Sequence, residues 1–141
     1  MADILHQFTI NGSAQKVFVA FCTSKGLDDW WPLKSSGEPK KGELYTFYFG
    51  PEYDWRARVA EVTQGKSITW KMENASEEWI GTEVGATFAE RNGVTTVGFF
   101  HKGWREASEH YRITNFCWGT LLNGLKMLVE KGTIVPFGER N

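Results

Sequence analysis

The sequence predicts an α+β domain in which a curved antiparallel sheet of about six strands wraps a long C-terminal helix, with two short helices after the first strand. Three observations predict it. Between residues 42 and 104, β-rich or alternating runs are separated by Gly and Asn at fairly regular intervals, as in an antiparallel meander. From residue 108 to 130 the apolar period changes to about 3.6, which is helical. Aromatic residues make up 15% of the chain, with 7 Trp and 10 Phe, and such side chains dominate the energetics of cores and ligand sites. A long amphipathic helix must bury its stripe, and one apolar face of a sheet is the only large partner available.

The elements follow in order. Ile4, His6, Phe8 and Ile10 alternate with Leu5, Gln7 and Thr9 and predict a first strand ending at Asn11-Gly12. Ser13 is placed to cap a helix whose stripe is Val17, Phe18, Ala20 and Phe21. A short second helix runs to Trp31 and stops at Pro32, because proline disfavours helical geometry in the residue before it. Residues 33–41, with Ser, Gly, Pro and three Lys, predict a solvated loop. Strands are expected over 43–49, 55–63, 67–73, 79–90 and 94–103, with turns at Gly50-Pro51, Gln64-Gly65, Asn74-Ala75-Ser76 and Asn92-Gly93. In the closing helix, Phe116, Thr120, Leu121, Leu125, Leu128 and Val129 are expected to share the apolar face, and Lys131-Gly132 ends it.

With 141 residues the chain suits one domain, 1–141, and one core. Sixteen Lys and Arg against 17 Asp and Glu give a net charge of -1, which predicts no nucleic-acid partner. Cys22 and Cys117 lie far apart, without metal or redox spacing, and are expected to act as small apolar groups. The N-terminal residues lack the pattern of a signal peptide, and no run reaches the length of a membrane span, so a cytoplasmic protein without membrane insertion is expected.

The candidate site is the presumed inner face of the sheet. Phe47, Phe49, Trp55, Val59, Trp70, Met72, Phe99 and His101 fall on one phase, opposite Thr120, Leu121 and Gly124 of the helix, with Trp31 as a clamp at the mouth. Small residues in the helix leave room opposite the sheet, and ligand sites are apolar enclosures with a few placed polar groups. His101, at the end of its strand, is the one candidate for transferring a proton or orienting a polar ligand group. No dinucleotide turn, phosphate-binding loop, nucleophile elbow or zinc-protease helix is present in the sequence. Three scattered His and two Cys give no metal site, and no cofactor is expected.

Residues Val17-Phe18-Val19-Ala20-Phe21-Cys22-Thr23, Leu27 and Trp30-Trp31 resemble the first helix and Trp-Trp signature of the activator of Hsp90 ATPase homologue type of helix-grip domain, within the START and Bet v 1-like superfamily. Ala57-Arg58-Val59-Ala60-Glu61-Val62, Ile68-Thr69-Trp70 and Thr95 to Trp104 are similar to its central and last strands, and Trp118, Leu122, Leu125 and Val129 to its closing helix. Ala57 replaces a usual Gly, and Trp118-Gly119 inverts the usual order. The resemblance implies a cavity between sheet and helix for a hydrophobic or amphipathic small molecule such as a lipid or polyketide-like aromatic. It also implies two alternatives: a co-chaperone or stress-related protein-interaction module of the Hsp90 class, and a cyclase-like enzyme using His101. Either a monomer or a homodimer is compatible with it.

Overall fold

The computed structural model describes residues 1–140. A ten-residue strand, β1 (Ala2–Asn11), leads into helices α1 (Ala14–Cys22) and α2 (Ser24–Asp28). Six strands follow: β2 (Lys34–Ser36), β3 (Leu44–Tyr48), β4 (Asp54–Thr63), β5 (Ser67–Asn74), β6 (Glu83–Arg91) and β7 (Val94–Trp104). The long helix α3 (Glu109–Lys131) and a single turn over Phe137–Glu139 complete the chain. The strands form one sheet in the order β1-β7-β6-β5-β4-β3-β2, every pair antiparallel. This is the helix-grip arrangement, with both ends of the chain's helical content packed on one face of the sheet.

The local chemistry explains the element boundaries. Ser13 accepts a hydrogen bond from Lys16 N at the start of α1, and Ser108 accepts one from Tyr111 N at the start of α3, each taking up a backbone donor the helix itself cannot pair. Gly132, in the left-handed region at φ 68°, closes α3. Thr23 serves both as the end of α1 and as the cap of α2, accepting from Gly26 N. At that corner a Cβ on Gly26 would sit 2.4 Å from Ala20 O, so only glycine lets the two helices meet.

Four sequence expectations need correction, the first being that α2 ends at Asp28, with Trp30 and Trp31 in the turn that follows. The sheet has seven strands, because β2 lies inside the stretch expected to be a loop. Ser35 anchors it by donating to Asp28 Oδ1 (2.7 Å), and it pairs with Phe47 of β3; three polar residues carry no alternation that could announce a strand. The strand expected over 79–90 starts only at Glu83, since Trp79 N and Thr82 N turn back onto Ser76 O and Trp79 O. Finally, Phe116 and Thr120 face solvent. The buried stripe of α3 is Thr114, Trp118, Leu121, Leu122, Leu125 and Val129, a phase fixed by Trp118, from which Phe116 lies two residues or about 200° around the helix.

β1 forms one edge of the sheet, and α3 covers its outward backbone groups. Tyr111 donates its hydroxyl to Asp3 O (2.7 Å), Lys126 its ammonium to Thr9 O, and Asn11 N donates to Glu130 Oε2 (2.8 Å).

Candidate functional site

The concave face of the sheet and the buried stripe of α3 enclose a dense set of aromatic rings. At the α1 end, Phe21 stacks on Trp30 (5.4 Å between centroids) and on Trp70 (5.6 Å), while Phe88 meets Phe18 and Phe21 edge-on. At the opposite end, Trp31 lies 4.7 Å from Phe47 and 4.9 Å from Trp118, and Trp79 lies 4.8 Å from Trp55 and 4.5 Å from His101. Offset and edge-to-face pairs at these separations each add about 0.5 to 1.5 kcal/mol beyond area burial.

Of the sequence-derived candidates, Trp31, Phe47, Val59, Trp70, Met72, Phe99, His101 and Leu121 are buried in this enclosure, and Phe49 and Trp55 are half-buried at its rim. Thr120 and Gly124 are elsewhere. They line a cleft of about 140 Å³ on the outer flank of α3, with Trp30, Met127, Val135 and Arg140. A Cβ built on Gly124 meets nothing within 4 Å, and one on Gly119 meets only His6, so the room left by the helical glycines lies outside α3 and not opposite the sheet. The phase set by Trp118 is again the reason.

One polar line crosses the enclosure. Trp118 donates its indole N–H to His101 Nδ1 (3.1 Å), which leaves that nitrogen as acceptor and puts the ring proton on Nε2. Nε2 therefore donates to Thr82 Oγ1 (2.8 Å), and Thr82 donates onward to Trp79 O (2.6 Å). Burial, with a smaller contribution from His110, pushes His101 down to about 3. The ring is neutral at physiological pH and both nitrogens are engaged, so it neither takes a proton from a substrate nor gives one up in this arrangement. Cys22 is no nucleophile either: burial drives its thiol upward, and its S–H donates to Phe18 O. Among the described residues, no group of three or more His, Cys, Asp or Glu could hold a metal ion.

Several residues of the enclosure escape a reading by sequence. Trp79, Trp104 and Thr82 stand at the end opposite α1, and Trp79 falls out of phase with Val84, Ala86 and Phe88 when the strand is taken to begin at 79. Gly81 (φ 85°), directly before Thr82, is the sequence signal that could have ended the strand earlier. Arg140 was invisible for another reason. Its guanidinium is buried by donating only to backbone carbonyls, those of Asp28, Trp31, Pro32 and Val135, which leave no trace in a pattern of side chains.

Comparison with known proteins agrees with this architecture. Residues 11–130 match the family model described as activator of Hsp90 ATPase homolog 1-like protein. The chain belongs to that family. The solution structure of the Aha1 dimer from Colwellia psychrerythraea is similar, with 29% identity over 94% of this chain and 99% of that one and a TM-score of 0.84. A protein from Staphylococcus saprophyticus (18% identity, 95% and 96% covered, TM-score 0.80) and one from Mesorhizobium loti (14% identity, 94% and 100% covered, TM-score 0.81) share the fold. No curated protein sequence matches the chain. Among the described residues of this Hsp90-activator-like domain, no helix is long and apolar enough to cross a membrane.

Proposed function

We propose that this protein is a non-catalytic binding module that takes a small apolar or amphipathic molecule between the sheet and α3. One observation carries the reading: the indole N–H groups of Trp70, Trp79 and Trp104 are buried and find no acceptor among the described residues. A core built for packing alone gains nothing from them, since each unpaired buried donor costs about 1 to 3 kcal/mol. A site that receives an acceptor-bearing ligand has a use for such donors, and the rings around them offer the apolar body of the ligand its contact surface. Titration of the purified protein with 1-anilinonaphthalene-8-sulfonate, beside native mass spectrometry of fresh preparations, tests this. Saturable probe fluorescence or a co-purified small molecule is the expected result; a bare chain that binds no probe would overturn it.

A second reading, protein docking, is favoured by a different observation. Ile113 and Phe116, three residues apart on the outer face of α3, are 54% and 77% exposed. Neighbouring apolar side chains on a helix face serve as anchors for a partner. The family's description points to an Hsp90-class chaperone, and the dimeric Colwellia relative to a second copy of the chain. Phe116→Ser should weaken whichever association sedimentation or pull-down with purified Hsp90 detects, leaving probe binding unchanged. Equal association by both proteins would remove this face from consideration. A cyclase-like use of His101 would require the ring to be freed from both Trp118 and Thr82.

A further inference from the structure

Trp79, like Trp30 and Trp31, is a ring of the enclosure supplied by neither a strand nor a helix. Trp79 stands in the connection between β5 and β6, among exposed Glu77, Glu78 and Ile80, and yet only 6% of its surface reaches solvent. Its plane lies 27° from that of Trp31 and 29° from that of Trp118, and His101 meets it edge-on. It thus fills a slot walled on one side by those two indoles, which lie only 4.9 Å from each other, and closed on another side by His101. Its own N–H has no acceptor there, so the slot suits the ring of Trp79 better than its polar edge.

The fastenings of this loop to α3 are of a different kind. Ser108 donates its hydroxyl to Glu78 (2.6 Å), and His110 Nδ1 lies 3.2 Å from the same carboxylate, all three at or near the surface. Water competes with such bonds directly, whereas nothing replaces the stacked contacts of the strand-borne rings. Gly81, at φ 85° with open space where a Cβ would be, gives the loop a joint next to β6 that other residues rarely adopt.

We propose that Trp79 is a built-in plug: the loop from Ser76 to Gly81 swings outward, and a planar aromatic ligand of one or two fused rings enters the slot that its indole occupies. The proposal rests on the binding-module reading above and adds to it the ligand's shape and the step that admits it. A plug that must leave first lowers the apparent affinity by the fraction of time it is out. If it is out about 1% of the time, removing its ring tightens binding about 100-fold.

Indole itself is the probe, because it reproduces the displaced group. Wild type and Trp79→Ala are titrated with it, following the indole N–H resonances of Trp31 and Trp118, and amide hydrogen exchange is measured on the wild type. Trp79→Ala is expected to bind indole at least about tenfold tighter than wild type. In the wild type, amides of residues 76–81 should exchange faster than those on the buried face of α3, and faster still with indole bound. Equal affinity of the two proteins would overturn the plug and leave the binding-module reading standing. A loop that opens locally, with no indole bound by either protein, would sink both. Should Trp79→Ala fail to fold, exchange on the wild type decides: protection of 76–81 equal to that of α3 means that the loop opens only when the whole domain unfolds, and the plug is refuted.

Discussion

Trp30 and Trp79 are both buried indoles, and they show how differently the two ends of one interior are built. Trp30, at the α1 end, sits between helices, stacks on Phe21, and donates its N–H to Ala20 O at 3.1 Å. Close by, Tyr45 donates its hydroxyl to Cys22 O at 2.6 Å. Apart from the Trp70 N–H the polar atoms named at this end are paired, and Phe21, Tyr45 and Trp70 come from regular elements while Trp30 follows α2 in a turn. At the far end Trp79 comes from a loop, and its N–H and that of Trp104 are unpaired. Burial alone does not make two positions equivalent. The first end is held by ring contacts and by side-chain bonds to backbone carbonyls. At the second, the line from Trp118 through His101 and Thr82 to Trp79 O ties the rings, and two indole N–H groups stay unpaired.

The largest effect should come from the paired end. Phe21→Ala removes a ring that touches Trp30, Trp70, Phe88 and Phe99, and should cost about 3 to 5 kcal/mol in chemical denaturation. Trp79→Ala should cost less, because truncation also removes an unpaired donor worth about 1 to 3 kcal/mol against the fold. Equal losses in the two variants would erase the distinction between the ends.

The next effect is one of pH. His101 is held at about 3 in the folded protein against 6.5 unfolded, so the unfolded chain binds the proton first. The stability this represents is fully present above pH 6.5 and is lost as the pH falls toward 3. At pH 4.5 the loss from this group amounts to roughly 2 to 3 kcal/mol. His101→Gln, which cannot titrate, should flatten the fall in melting temperature between pH 6.5 and 4.5. An unchanged slope would mean that other groups govern the acid limb. The smallest effect belongs to the outer flank of α3. Gly124→Ala adds a methyl group to open space and should stabilise the protein by about 0.5 to 1 kcal/mol, whereas a close-packed position would give a loss.

The same two ends separate what the sequence discloses from what it hides. Strands β3 to β7, α1 and α3 follow from periodicity and capping residues, and the inward phase of Trp70, Phe99 and His101 is readable because each stands in an alternating run with apolar neighbours. Position 79 has no such neighbours. Its burial depends on where a turn ends, and turn ends are set by a few backbone angles that composition reports only through Gly81. The rotation of α3 is legible only in part: the burial of Trp118 is expected, but Phe116 is also large and apolar, and packing of Trp118 against Trp31 and Phe99 leaves Phe116 outside.

The bonds from Tyr111, Lys126 and Asn11 between α3 and β1 have a bearing on solubility. A ten-residue strand at the rim of a sheet offers a row of donors and acceptors on which another molecule's strand can template, the first step of edge-to-edge aggregation. By occupying Asp3 O, Thr9 O and Asn11 N, the closing helix interrupts that row near both of its ends. The element that shuts the interior thus also stops the sheet from growing at its β1 edge.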